Sequence, residues 1–138
     1  MTVRYLLDTD TGVAWLRRNQ AVRTRVAAVG PPALAVSIVT VAELRYGAAC
    51  SAQASANHQA IDGFLSGVTV IGLDPAIARQ FGDVKAALRA QGQLLEDADL
   101  FVAATALTYQ LILVTNNTQH FARIPGLQLE NWLLPIVP

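Results

Sequence analysis

The sequence predicts an α/β fold in which a parallel sheet is covered by helices on both faces. Short apolar runs alternate along the chain with longer amphipathic runs, which is typical of alternating strands and helices. The apolar runs are nearly continuous, as expected of strands that are buried on both sides. The length of 138 residues suits a single domain, so we expect one domain over residues 1–138.

The predicted elements follow in order, separated by residues that end them. The first apolar run ends at Asp8, Gly30-Pro31-Pro32 interrupts both helix and strand, and Asp74-Pro75 is typical of a helix start. We expect four to five mostly parallel strands, at residues 3–7, 33–37, 68–71, 111–114 and 127–130. We expect helices at residues 11–19, 21–29, 39–50, 58–65, 75–92 and 96–109.

The composition excludes several classes of protein. Hydrophobic residues make up 53% of the chain and charged residues 14%, which excludes disorder and predicts that a partner covers some apolar surface. Ten Lys and Arg balance ten Asp and Glu, although nine of those ten basic residues are Arg. One Cys and two His are too few for a structural zinc site. No apolar run approaches a signal peptide or a membrane span, so we expect a cytoplasmic chain.

Four polar side chains are expected at one edge of the sheet. Asp8 follows the first strand, Glu43 lies in the helix after the second, and Asn117 follows the fourth. Asp99 opens the helix that leads into that fourth strand. Because ligands of parallel sheets bind beyond the carboxyl ends of the strands, we expect these residues to converge.

Each acid also has a purely structural interpretation. Asp8 can close an Asx turn, Asp10 can cap the helix at residue 11, and Glu43 can form a capping box with Thr40. Asp97 and Asp99 both lie in the first turn of a helix, where the helix dipole stabilises carboxylates.

The helix that Asp99 opens is apolar almost all round and is therefore expected to be buried. No Lys or Arg lies nearby in the sequence, which favours a cation as the partner of Asp99. Clustered carboxylates raise one another's pKa unless a cation neutralises them. With oxygen ligands alone, that ion is expected to be Mg²⁺ or Mn²⁺.

Four segments, taken together and in order, resemble a known family. They read Leu6-Leu7-Asp8-Thr9-Asp10, Ser37-x-x-Thr40-x-x-Glu43-Leu44-x-Tyr46-Gly47, Asp97-x-Asp99-x-x-Val102-Ala103-Ala104-Thr105-Ala106 and Val114-Thr115-Asn116-Asn117-x-x-x-Phe121. On these segments the chain resembles the PIN-domain nucleases and, within them, the VapC toxins of bacterial toxin–antitoxin pairs. The tail from Arg123 to Trp132 is similar to the branch that cuts initiator tRNA.

The resemblance implies a PIN-like three-layer α/β/α sandwich and a Mg²⁺-dependent endoribonuclease that hydrolyses RNA, with tRNA as the expected substrate. Asp8, Asp99 and Glu43 would form the acidic metal site, and Glu43 or Asp97 would orient the attacking water. Asn117 stands where many relatives have a fourth acid, so one bound ion is expected. Candidate contacts to RNA are Arg17, Arg18, Arg23, Arg25, Arg45 and His120.

The resemblance also implies partners. A VapB antitoxin segment would cover apolar surface beside the acidic site, and the toxin would form a homodimer. Such a covered surface would account for the low charge content of the chain.

Two other functions are compatible with the same residues. In a HAD-like phosphatase, Asp8 would be the nucleophile and Asp10 the general acid/base, with Lys85 as the only available lysine. A non-catalytic RNA-binding PIN module would keep the fold and lose the chemistry. The variant Asp10→Asn separates the phosphatase from the nuclease, and Mg²⁺-dependent tRNA cleavage separates the nuclease from the module.

Overall fold

Five short strands form one sheet in the computed structural model, which describes residues 2–134. They are β1 (Tyr5–Leu7), β2 (Leu34–Ser37), β3 (Thr69–Ile71), β4 (Ile112–Val114) and β5 (Leu129–Glu130). Their order is β3-β2-β1-β4-β5, and all the neighbouring pairs are parallel. The predicted α/β class and parallel sheet are confirmed.

Helices connect the strands and cover both faces of the sheet. They are α1 (Thr9–Leu16), α2 (Gln20–Val29), α3 (Ile38–Ala49), α4 (Ala54–Leu65), α5 (Pro75–Ala90), α6 (Asp97–Tyr109) and α7 (Thr118–Phe121). None of the helices within residues 2–134 has the length and apolar character needed to cross a membrane.

Alternation along β1 divides the core between two layers of helices. Tyr5 and Leu7 belong to the apolar cluster that contains the buried residues of α2, α3 and α4. Leu6, between them, belongs to the opposite cluster, with the buried residues of α5, α6 and α7. The sheet is therefore the middle of three layers, and only its edges are open to a ligand.

Helices α1 and α4 begin earlier than predicted, at Thr9 instead of residue 11 and at Ala54 instead of residue 58, whereas α3 begins next to its predicted start. The Asp8 carboxylate accepts a hydrogen bond from the Thr9 backbone N–H (2.9 Å), so Asp8 caps α1 and Asp10 lies in its first turn. The hydroxyl of Ser37 accepts from the Val39 backbone N–H (3.0 Å) and caps α3 one turn before Thr40. Glu43 therefore forms no capping box with Thr40, and its carboxylate is available for another contact.

Candidate active site

Asp8 lies at the carboxyl end of the central strand and is almost fully buried, with 7% of its surface exposed. Its Oδ1 accepts from the Thr9 backbone N–H, and its Oδ2 accepts from the Thr115 hydroxyl (2.8 Å). Thr115 follows β4, the neighbour of β1 in the sheet. The adjacent ends of two parallel strands therefore fix the orientation of this carboxylate.

The pKa of the Asp8 carboxyl group is raised from the usual 3.8 to about 6, chiefly by burial. The negative charges of Asp10 and Asp99 contribute to this rise, and the hydrogen bonds from Thr115 and Thr9 partly offset it. The structure thus brings Asp99, 91 positions away in the sequence, within electrostatic reach of Asp8. A desolvated carboxylate facing two like charges is an environment that a bound cation stabilises.

Asp99 lies in the first turn of α6 and is half-buried, as its place at the mouth of an apolar helix predicts. Its Oδ2 lies 3.0 Å from Nε2 of His120 in α7. Because a carboxylate only accepts, Nε2 carries the proton of this bond. The side-chain partner of Asp99 is thus a histidine that sequence proximity did not reveal.

Glu43 reaches the same turn from α3. Its Oε1 accepts a hydrogen bond from the Thr9 hydroxyl (2.6 Å), and the Glu43 side chain is otherwise exposed. Thr9 directly follows Asp8, so the Glu43 carboxylate contacts the residue next to Asp8. The role of Glu43 as a metal ligand stays a prediction.

Asp10 contacts the turn after β4 through Thr115 and Asn116, which the sequence did not reveal. Oδ2 of Asp10 accepts from the Asn116 backbone N–H (3.0 Å) and lies 3.3 Å from the Thr115 hydroxyl. Its Oδ1 lies 3.1 Å from the hydroxyl of Thr11. Asp10 thereby joins the β1–α1 turn to the β4–α7 turn. The position of Thr115 directly after a strand is the signal that would have identified it.

Two further predicted site residues occupy different surroundings. Asn117 is exposed at the start of α7, where its backbone N–H donates to the Thr115 hydroxyl (3.1 Å). Asp97 accepts a hydrogen bond from Lys85 Nζ (2.8 Å), which connects α6 to α5. The carboxylate of Asp97 thus serves as one end of an ion pair between two helices.

The predicted RNA contacts fall into two groups. Arg17, Arg18 and Arg23 are exposed at the end of α1 and in α2. Arg45 donates to Asp62 (2.5 Å) and to the backbone oxygen of His58 (3.1 Å), and Arg25 lies 3.7 Å from Glu130. The side chains of the first group have no hydrogen-bond or ion-pair partner within residues 2–134, whereas Arg45 and Arg25 already contact carboxylates.

The donor set of this edge suits a hard divalent cation. No group of three or more His, Cys, Asp or Glu side chains within residues 2–134 is arranged to hold a metal ion by itself. Mg²⁺, however, is commonly bound through one or two carboxylates and completes its shell with water and substrate phosphates. The carboxylates of Asp8 and Asp99 fit that requirement, because both supply oxygen ligands and their negative charges repel each other unless a cation neutralises them.

Comparison with known families matches residues 5–127 to the PIN domain. The chain is 37% identical over 131 residues to "Ribonuclease VapC2" of Haemophilus influenzae, covering 95% of this chain and 99% of that protein. It is 35% identical to the "tRNA(fMet)-specific endonuclease VapC" of Shigella flexneri, covering 94% of this chain and 98% of that protein.

Solved structures agree with this assignment. A chain of the DNA-bound VapBC complex from Salmonella typhimurium superimposes with a TM-score of 0.90 at 30% identity, over 94% of this chain and 98% of that chain. A chain of VapBC2 from Rickettsia felis, bound to a promoter DNA fragment, gives 0.88 at 30% identity, over 96% of this chain and 99% of that chain. The chain belongs to the PIN domain family and, within it, to the VapC ribonucleases.

Proposed function

We propose that this protein is a divalent-metal-dependent endoribonuclease toxin that hydrolyses phosphodiester bonds in tRNA. The observation that carries the proposal is the buried Asp8 carboxylate, whose pKa is raised by burial and by the charges of Asp10 and Asp99. The names of the relatives, ribonuclease and tRNA(fMet)-specific endonuclease, support RNA as the substrate and tRNA as its class. Mg²⁺ is the ion that we propose, and Mn²⁺ has the same ligand preference.

We assign the roles from the contacts of each side chain. Asp8 and Asp99 would bind the ion. Glu43, which accepts a hydrogen bond from Thr9 next to Asp8, would bind it directly or through a water molecule. His120 contacts Oδ2 of Asp99, so Oδ1 is the oxygen that we assign to the ion. Asn117 lies at the same edge and adds no charge, which supports a single ion.

When bound, the ion would polarise a phosphate oxygen and lower the pKa of a water molecule for in-line attack. Among the protein side chains, Glu43 is the best placed to orient that water, because its carboxylate is exposed at the site.

The contacts of Asp10 disfavour the phosphatase. A general acid/base must exchange a proton with substrate, whereas both oxygens of Asp10 face Thr11, Thr115 and Asn116. Lys85, the only lysine, is bonded to Asp97.

Cleavage of a tRNA pool by the purified chain tests the proposal. We expect Mg²⁺-dependent cleavage that leaves 5′-phosphate and 3′-hydroxyl ends and that Asp8→Ala and Asp99→Ala each abolish. Asp83→Ala is the matched control, because Asp83 is an exposed carboxylate of α5 that pairs with Arg79. Binding of RNA without cleavage at any Mg²⁺ concentration would instead identify the non-catalytic module.

An apolar groove beside the site is the proposed position of an antitoxin. The groove has a volume of about 270 Å³ and lies between α1, α3 and α4, with Val13, Leu16, Leu44 and Ile61 in its lining. Glu43 and Arg17 lie on the same groove. The relatives from Salmonella and Rickettsia were solved as VapBC complexes, which supports a VapB-type partner here. A homodimer stays a prediction from composition and family.

A further inference from the structure

Asn116 is an exposed residue of the β4–α7 turn that the proposed roles above do not use. Its backbone N–H donates to Asp10 Oδ2 (3.0 Å), and its side chain contacts Asn131 in the segment after β5. Asn116 directly follows Thr115, whose hydroxyl bonds Asp8. The residue is therefore held at the acidic edge of the sheet by both its backbone and its side chain.

A chain of hydrogen bonds fixes which way the Asn116 amide points. The Leu133 backbone N–H can only donate, so the atom that it meets at 3.0 Å must be Oδ1 of Asn131. The other end of the Asn131 amide is then Nδ2, which donates to Asn116 at 3.1 Å. Asn116 must accept this bond with Oδ1, so its own Nδ2 is the end that is turned away from Asn131.

Within the described residues, no side chain or backbone oxygen accepts a hydrogen bond from Nδ2 of Asn116. This group carries two N–H donors and no charge, and its residue is exposed. RNA approaching this edge brings anionic phosphates towards Asp8, Asp10 and Asp99. A fixed donor is the kind of group that positions a phosphate there.

We propose that Asn116 binds the RNA backbone, donating from Nδ2 to an oxygen of a phosphate that flanks the bond to be cut. Asn131 acts as its positioning residue, because it sets the direction of the Asn116 amide. This inference rests on the proposed ribonuclease function. It assigns a role to the segment after β5, which is anchored by the buried indole of Trp132. Through Asn131, this segment contributes to substrate binding by orienting Asn116.

The test uses Asn116→Asp and Asn131→Asp with an RNA oligonucleotide that spans a wild-type cleavage site. Asn116→Asp keeps the acceptor for Asn131 and replaces the outward donor with an acceptor. Asn131→Asp keeps the acceptor for Leu133 but places an oxygen opposite Asn116, whose amide must then turn its donor inwards. We expect each variant to raise KM about threefold to tenfold, the loss of roughly one hydrogen bond, with kcat within twofold and an unchanged melting temperature.

Gln128→Glu is the charge control, because Gln128 is an exposed amide that directly precedes β5, at the opposite edge of the sheet. A second arm replaces single flanking phosphates with methylphosphonate. One such replacement should weaken binding of the wild type and leave binding of Asn116→Asp unchanged. The dissociation constant is measured alongside KM, so a chain that binds RNA without cleaving it still tests Asn116.

Several results would overturn the inference. An unchanged KM and dissociation constant in both variants would remove Asn116 from the RNA interface. A joint fall of kcat and melting temperature without a change in KM would show that the turn is only structural. Absence of both cleavage and RNA binding in the wild type would instead refute the proposed function, together with the inference built on it.

Discussion

Asp8 carries the largest electrostatic cost among the described side chains with a shifted pKa. Because its pKa rises from 3.8 to about 6 on folding, the folded state holds its proton more tightly than the unfolded state. The protonated Asp8 carboxyl group therefore favours the folded state. This stabilisation is complete below about pH 4 and is lost as the pH rises through 6 and the group ionises. The ionised group costs the metal-free fold about 3 kcal/mol at neutral pH.

Asp8→Asn should therefore make the metal-free protein more stable while abolishing RNA cleavage. The amide keeps an acceptor for Thr9 and can meet the Thr115 hydroxyl, so the packing is preserved. We expect unfolding in urea at pH 7.5 to require about 1–3 kcal/mol more free energy than in the wild type. At pH 4 the difference should shrink, because the wild-type carboxyl group is then protonated.

Asp83→Asn supplies the comparison, since Asp83 is exposed and its loss should change stability by less than about 0.5 kcal/mol. Divalent metal should raise the stability of the wild type and not that of Asp8→Asn. Equal stability of wild type and Asp8→Asn across this pH range would contradict the assigned burial cost.

At the scale of elements, the site depends on two turns that Asp10 holds together. Asp10→Asn keeps one acceptor for the Asn116 N–H and turns its amide towards Thr11, whose hydroxyl can accept. Asp10→Ala removes the contacts with Thr11, Thr115 and Asn116 and so weakens the support of the turn after β4.

We expect Asp10→Asn to retain RNA cleavage within about fivefold, because the hydrogen bonds survive the loss of charge. Asp10→Ala should lose about 1–2 kcal/mol of stability and at least tenfold in kcat/KM. Both are measured by urea unfolding and by cleavage of one RNA oligonucleotide. Loss of activity in Asp10→Asn as complete as in Asp8→Ala would assign Asp10 a direct chemical role.

The α5–α6 pair gives a prediction for Asp97, whose carboxylate is bonded to Lys85. Lys85 also lies over the ring of Phe81, which stacks on Phe101 with centroids 4.1 Å apart. Because the ion pair is largely exposed, Asp97→Asn should cost less than about 1 kcal/mol. Its RNA cleavage should stay within threefold of the wild type, whereas Asp99→Asn should lose at least 100-fold. A loss in Asp97→Asn comparable to that in Asp99→Asn would place Asp97 in the catalytic machinery.

The sequence predicted a helix boundary correctly where a single capping residue determines it. Asp74 caps α5 as predicted, because its Oδ1 accepts from the Ile77 backbone N–H (2.8 Å) and Pro75 fills the first position. The sequence could not select the cap of α3, since Ser37 and Thr40 are both good caps and only tertiary packing selects between them. The four-residue helix α7 was missed, because its short polar sequence carries no periodic signal.

At the scale of the whole molecule, strand-end position predicted that Asp8 would lie at an edge of the sheet. Sequence could not predict that His120 meets Asp99 or that Lys85 meets Asp97, because each contact joins separate elements after they pack. Because no basic residue is nearby in the sequence, both carboxylates were expected to lack a basic side-chain partner, whereas each of them has one. Parallel topology sets which strand ends are neighbours, whereas side-chain partners depend on packing that one sequence does not reveal.

The groove between α1, α3 and α4 gives a prediction that separates neutralisation from catalysis. Ala60 of α4 lines this groove and is exposed, so Ala60→Trp should fill it without disturbing the core. Gln59→Trp is the matched control, because Gln59 is its exposed neighbour on the same helix and does not line the groove. If an apolar antitoxin segment occupies the groove, Ala60→Trp should weaken complex formation at least 30-fold and Gln59→Trp less than threefold.

Gln59→Trp should cleave RNA within threefold of the wild type. Ala60→Trp should keep Mg²⁺-dependent cleavage, because Asp8 and Asp99 lie outside the groove, but its rate is measured separately, since Glu43 and Arg17 line the same groove. Co-expression with the antitoxin followed by size-exclusion chromatography measures the complex, and growth of the host reports release of the toxin. Full neutralisation of Ala60→Trp would place the antitoxin elsewhere on the surface, because an indole at position 60 would compete with an apolar antitoxin segment for this groove.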